Sequence, residues 1–226
     1  MATKKATEEA IVIRPIEIVT TEVRIVGDTP LIMHAWSEKA KRMMLDAQQG
    51  RKKAKAKEYR NPVRDFLDSM YWLSGKPEVP EGATEEECEV LFTEAIANGA
   101  RFGFPATSFK QAAQSAAYRL GWVKNMTGMR GAFFIETGED GLVEIESDPP
   151  ILREDLVRVG MGTADLRYRG EFRNWSAMLK IQYNASGDIS LDAILNALNA
   201  GGFTCGVGEW RPEKDGNNGR FHVESV

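Results

Sequence analysis

The chain has 226 residues, 42% of them hydrophobic and 27% charged, with a net charge of −4; this is the make-up of a globular protein with a core of its own, and the charge argues against a generic DNA-coating protein. No apolar run approaches the length needed to span a bilayer, and residues 1–9 carry no apolar core behind their lysines, so neither a membrane span nor a secretory signal is expected. Cys88 and Cys205 are the only cysteines, which gives no disulfide framework and no zinc spacing and fits a reducing cytoplasm.

The net charge hides an asymmetry. Between Glu38 and Arg64 ten basic residues stand against three acidic ones, a local charge of +7 that leaves −11 for the rest of the chain. A basic surface of this kind is what phosphate contact requires, whatever the total charge.

Residues 1–10 are polar and read as a mobile terminus. Residues 11–26 are rich in Ile, Val and Thr and alternate Ile18, Thr20, Glu22 and Arg24 against Val19, Thr21, Val23 and Ile25, which predicts a strand. A Gly27–Pro30 turn follows, then a short apolar run Leu31–His34, and Ser37 is a candidate N-cap for a basic helix to about Asn61. Its Arg51–Lys57 portion is either a solvated face or an arm that tracks phosphates. A short helix over 62–73 and a loop over 74–82 come next. Thr84–Glu87 forms a capping box that opens a helix ending near Asn98-Gly99. Phe102–Pro105 reads as a loop with two aromatics. Ser108–Gln111 is a second capping box, before a helix whose Ala112, Ala113, Ala116 and Ala117 form a small-residue face suited to close packing. Residues 132–136 and 142–146 flank a Gly138–Gly141 turn and predict a hairpin.

From Pro149 the chain reads as less regular. Five arginines (Arg153, Arg158, Arg167, Arg169, Arg173) lie within 21 residues, interleaved with Tyr168, Phe172 and Trp175. Arginines with aromatics can grip a nucleic-acid backbone and stack its bases; the alternative is a hairpin whose arginines pair with carboxylates. Residues 175–183 alternate as a strand, Ser190 caps a helix to about 200, and a strand closes the chain at 220–226. Between them lies a stretch with six glycines, Gly201 to Gly219, that also carries Trp210 and Arg211. Loop glycines such as Gly206 and Gly208 let backbone amides approach a ligand and form an anion-binding concavity.

No His-Glu-x-x-His, Cys-x-x-Cys, Walker A, Gly-x-Ser-x-Gly or dinucleotide fingerprint is present, and the two histidines, His34 and His222, read as structural. No catalytic residue, cofactor or metal is therefore expected, although acids are numerous enough to leave a carboxylate-based metal nuclease as a third option.

The order strand 175–183, helix 190–200, glycine-rich loop and final strand looks like the C-terminal part of a ferredoxin-like unit, with the strand and basic helix at 18–58 as its N-terminal partner. A glycine-rich loop after the last helix resembles the RAMP superfamily, RNA-binding proteins that include the backbone subunits of CRISPR effector complexes. Thr29–His34, Val159–Arg169 and Gly206–Pro212 carry a likeness to a family of uncharacterised proteins from tailed phages and prophages. These resemblances imply RNA or DNA binding, assembly into oligomers and a place in the cytoplasm of a host bacterium. No histidine stands where the processing endonucleases of the superfamily carry theirs, which implies binding rather than cleavage.

The expected fold is one α+β domain over 11–226 with a ferredoxin-like (RRM-like) core, a basic helical insertion at about 37–121 and a C-terminal glycine-rich loop. The expected function is non-catalytic binding of single-stranded nucleic acid as a homo-oligomer, for recombination, replication or strand protection. The alternative is an interaction protein that binds or mimics a host CRISPR effector subunit. The candidate contacts are Lys52, Lys53, Lys55, Lys57, Arg167, Arg169 and Arg211 for phosphates, Gly206 and Gly208 for backbone amides, and Tyr168, Trp175 and Trp210 for base stacking.

Overall fold

The computed structural model describes residues 15–36, 38–50, 60–159 and 162–224. Among the described residues the elements are mixed α and β, and the strands form three sheets, antiparallel throughout.

The first strand, β1 (Ile18–Gly27), alternates as its sequence predicts. Val23 and Ile25 are buried while Thr20, Glu22 and Arg24 face out. It pairs along its whole length with β9 (Ser176–Asn184) and, at its end, with β10 (Phe221–Val223); β9 in turn pairs with β5 (Phe133–Glu136). The sheet order is β10-β1-β9-β5. Two helices pack side by side in the core with this sheet: α4 (Ala106–Arg119) and α5 (Leu191–Thr204). Ser190 caps α5 by accepting from Ala193 N–H, as its sequence predicts. The alanine face of α4 lets the two helices come close: a Cβ at Gly201 of α5 would stand 2.6 Å from the Ala112 carbonyl carbon. Gly201 and Gly202 thus belong to the helix, and the glycine-rich loop begins at Cys205.

The helix beside α5 is α4. The basic helix expected in that position, α1 (Glu38–Gln48), instead leaves Met43, Met44 and Leu45 largely exposed. The span expected as an insertion therefore contains one of the core helices.

Between β1 and β5 the chain also forms β2 (Leu31–Met33), α2 (Pro62–Asp68), β3 (Trp72–Ser74), α3 (Glu85–Ala97) and β4 (Arg101–Pro105). Asn61 caps α2 and Pro62 supplies its first turn. The predicted capping box of α3 is present in both directions between Thr84 and Glu87. The predicted box at Ser108–Gln111 is not, because α4 starts at Ala106 and Ser108 is already inside it. Phe102–Pro105 is a strand rather than a loop; its two rings are buried, and β4 pairs with β3 and with β6 (Leu142–Ile145).

The expected hairpin of residues 132–136 and 142–146 does not form. β5 joins β9, and β6 joins β4 in another sheet. The long hairpin lies where the sequence reads as irregular: β7 (Ile151–Val159) pairs residue for residue with β8 (Thr163–Phe172), and β8 pairs with β2. This third sheet, ordered β2-β8-β7, carries the candidate site. No helix among the described residues is long and apolar enough to cross a membrane.

Candidate nucleic-acid interface

The β7–β8 hairpin, the end of β2 and the glycine-rich loop enclose a cleft of about 480 Å³, lined by His34, Val157, Arg167, Arg169, Glu209, Trp210, Arg211 and Lys214. Four of the residues expected to bind nucleic acid, Arg167, Arg169, Trp210 and Arg211, are brought together here from two segments well separated in the chain.

Hairpin register explains which arginines arrive. Arg153 lies directly opposite Arg169, and Asp155 opposite Arg167, so all four project from one face. Two guanidiniums facing each other would repel. Asp155 relieves this by accepting from Arg153 Nε at 2.9 Å and from Arg169 Nη1 at 3.0 Å. Glu171 does the same one step along, accepting from Arg153 Nη1 at 2.9 Å and from Arg173 Nε at 2.8 Å. Burial alone would raise the Asp155 carboxyl, but hydrogen bonds from Arg169, Arg153 and the Trp210 indole outweigh it and hold the group below its ordinary value. Glu171 is lowered in the same way: burial opposes, and Arg153 and Arg173 prevail.

Arg169 is 5% exposed and sits at the base of the cleft. Besides Asp155 it reaches Glu209 Oε2 at 3.4 Å and His34 Nδ1 at 3.2–3.3 Å. Burial first, and then Arg169, lower the His34 pKa, so the imidazole is neutral at pH 7. A guanidinium can only donate; Nδ1 is therefore the acceptor and the ring proton sits on Nε2. His34 offers a ligand a hydrogen-bond donor, and its one lone pair is spent on Arg169. Sequence reasoning set this histidine aside as structural; the available signal was its position one residue beyond the fully buried Leu31-Ile32-Met33.

The three other cationic side chains of the cleft differ from Arg169 and from one another. Arg211 is held locally, with Nη1 donating to Gly208 O at 3.0 Å and Nε and Nη2 to Glu213 Oε2 at 3.2 and 3.1 Å. Lys214, which sequence reasoning missed, is exposed and has no carboxylate partner among the described residues. Arg167 stands between these cases: its Nε is 2.8 Å from Asp165 Oδ2 but makes no hydrogen bond. Arg167 and Lys214 are the cations with donors to give away.

Three expectations are corrected. Trp175 is no stacking platform: it is 1% exposed, donates from Nε1 to Thr29 O at 2.8 Å and packs against Phe109 and Phe221. Tyr168 follows Arg167 and precedes Arg169 in sequence, so pleating turns it to the opposite face. There its ring lies under the Arg60 guanidinium, 5.4 Å away, outside the cleft. Gly206 does not aim its amide at a ligand, and the amides on either side of Gly208 are engaged within the fold. Gly206 N–H donates to Gly201 O, and its neighbours Val207 and Glu209 donate to Gly219 O and Ile32 O. Both glycines have positive φ, and a Cβ at Gly208 would stand 2.6 Å from Ile32 O. The loop is folded onto the β2 strand, and its glycines permit that approach.

Trp210 remains. Its backbone has φ 53°, a costly conformation for a large residue, fixed by Asn218 N–H donating to Trp210 O at 2.9 Å. The residue helps to hold the Asp155 carboxyl low while it stays 38% exposed at the cleft.

No protein-family model and no curated protein matches the chain. The site must speak through its own chemistry. Lys52, Lys53, Lys55 and Lys57 lie outside the described residues. Among the described residues no three His, Cys, Asp or Glu side chains are grouped as metal ligands.

Proposed function

We propose that the chain binds single-stranded nucleic acid in this cleft without acting on it chemically. Phosphates contact Arg167, Lys214 and the exposed part of Arg211, and a base lies against Trp210. The observation that carries this is the convergence of Arg167, Arg211, Lys214 and Trp210 on one concave surface of about 480 Å³, over a buried Arg169 whose ion pairs with Asp155 and Glu209 hold the wall in place. His34 supports binding rather than hydrolysis, since its Nδ1 lone pair is already engaged by Arg169 and cannot serve as a general base.

The core beneath the site is read as ferredoxin-like. Its support is the strand order: β10-β1-β9-β5 is fourth-first-third-second in chain order, each pair antiparallel, with α4 and α5 as the two helices of a βαββαβ path. The outer face of that sheet carries Glu22, Arg24, Lys180 and Glu136, with two of its charges, Glu22 and Lys180, paired. Among the described residues that face carries a single exposed aromatic, Phe134, rather than the aromatic row with which RRM sheets stack bases, and this favours the cleft over the sheet as the binding surface. A phage origin and a role on single strands in a bacterial cytoplasm go with the resemblances drawn from the sequence.

The ion pairing of Arg153, Arg169 and Arg173 favours a second reading, an interaction protein whose arginines are structural. Titration of a fluorescent single-stranded oligonucleotide separates the two. The wild type should bind, and Arg167→Ala/Lys214→Ala should weaken binding about 10-fold or more, since each ion pair with a phosphate is worth on the order of 1 kcal/mol. Neither residue secures the loop, so the variant should remain folded by circular dichroism. Undiminished affinity in the double variant would remove the cleft from the account; no binding by the wild type at low salt would leave the interaction protein.

A further inference from the structure

β7 is an edge strand, because its sheet runs β2-β8-β7. Among the described residues its backbone has no hydrogen-bonded neighbour other than β8. A nine-residue edge left open in this way is a template for a further strand. Its even-numbered side chains, on the face away from the cleft, include Glu154, Leu156 and Arg158. Leu156 is 70% exposed and is backed across the hairpin by Leu166, which is also exposed. Glu154 helps to raise the Tyr168 phenol, while Arg158 has no acidic partner among the described residues.

This pattern is complementary to itself. We propose that a second copy of the chain occupies the edge, with β7 pairing antiparallel to β7 of its partner about a two-fold axis at Leu156. In that register Leu156 meets the partner's Leu156, Glu154 meets the partner's Arg158 and Arg158 meets the partner's Glu154. Opposite charges directly across an antiparallel pair stabilise it, and like charges do the reverse. Moving the axis to residue 155 sets Asp155 against its own copy, and moving it to 154 sets Glu154 against its own copy, so both of these registers bring like charges together where the axis at Leu156 brings opposite ones. The result is one six-stranded sheet, β2-β8-β7 followed by its two-fold image. Isologous pairing of this kind closes as a dimer. It leaves both clefts open, because their lining comes from the other face of the hairpin.

Sedimentation velocity on nuclease-treated protein tests this by charge exchange. The wild type should sediment at twice the chain mass of 25.1 kDa. Glu154→Arg and Arg158→Glu, each of which sets like charges opposite one another, should each weaken dimerisation at least 10-fold, and Glu154→Arg/Arg158→Glu should restore it. Leu156→Cys gives an independent reading: it should form an intermolecular disulfide on mild oxidation, since residue 156 faces its own copy on the axis and the native Cys88 and Cys205 are buried. A wild type that stays at 25.1 kDa at hundreds of micromolar overturns the proposal. So does a dimer indifferent to the single exchanges, or a folded double variant that remains monomeric while Leu156→Cys fails to cross-link.

Discussion

Arg169 is the residue on which the site turns. Its guanidinium neutralises Asp155, fixes the His34 tautomer and touches Glu209, so three segments distant in sequence depend on one buried cation. Arg169→Ala leaves Asp155 buried with only Arg153 and Trp210 as partners, and should lower unfolding free energy by about 3 kcal/mol in urea titration. An unchanged midpoint would mean that the network carries no stability. His34 adds a pH dependence. Its folded pKa lies below the unfolded value of 6.5, so on acidification the unfolded chain takes up the proton first. The stability it contributes is complete above pH 6.5 and declines as pH falls below that value towards the folded pKa. His34→Gln should flatten the stability curve across this window; an identical curve would place the titration elsewhere. Asp155 and Glu171 act further down: with folded pKa values below the ordinary 3.8 and 4.5, their contribution is present above those values and lost at still lower pH.

Among the elements, the glycine-rich loop is positional. Its amides are largely spent internally, and its glycines allow it to lie against Ile32 of β2, which carries Glu209 and Trp210 to the cleft wall. Gly208→Ala needs a left-handed φ of +78° and puts a methyl 2.6 Å from Ile32 O, so it should cost about 2 kcal/mol and displace Trp210. Thermal unfolding and the oligonucleotide titration should both register it, and a full-affinity, full-stability variant would contradict the role assigned to the loop. This element was visible in the sequence as a glycine cluster, but its use was not: the composition that permits an amide cradle also permits close packing, and only the position of β2 decides between them. The β7–β8 hairpin was hidden for another reason. Its cleft face is made of ion-paired arginines and carboxylates, so the apolar alternation that marks a half-buried strand is missing. The opposite error occurred at residues 132–146. Both strands exist there, but each finds a longer or better-buried partner, and a turn-like Gly138–Gly141 cannot decide pairing alone.

At the scale of the molecule, elements with a strong local signature were legible: the β1 alternation, the Thr84 and Ser190 caps, the β9 strand and the alanine face of α4. The identity of the second core helix was not, because it depends on which of several helices between β1 and β5 meets α5. Of the site, Arg167, Arg169, Trp210 and Arg211 were found from their clustering in sequence. His34, Glu209 and Lys214 were not, since each carries meaning only through neighbours remote in the chain. Ion pairing within the molecule separates Arg153, Arg169 and Arg173, hydrogen-bonded to the carboxylates of the hairpin, from Arg167, whose ion pair with Asp165 leaves its Nε without a hydrogen bond, which no composition count can do. The proposed phosphate contacts are Arg167 and Lys214. Their most direct test is the affinity of wild type and Arg167→Ala/Lys214→Ala for a labelled single-stranded oligonucleotide over a series of salt concentrations. For the wild type, log K should fall linearly with log salt. In the variant the slope should be shallower by about 1.4, that is, about 0.7 for each single-strand phosphate that the protein no longer neutralises. Equal slopes, or a wild type that binds no oligonucleotide at low salt, would contradict it.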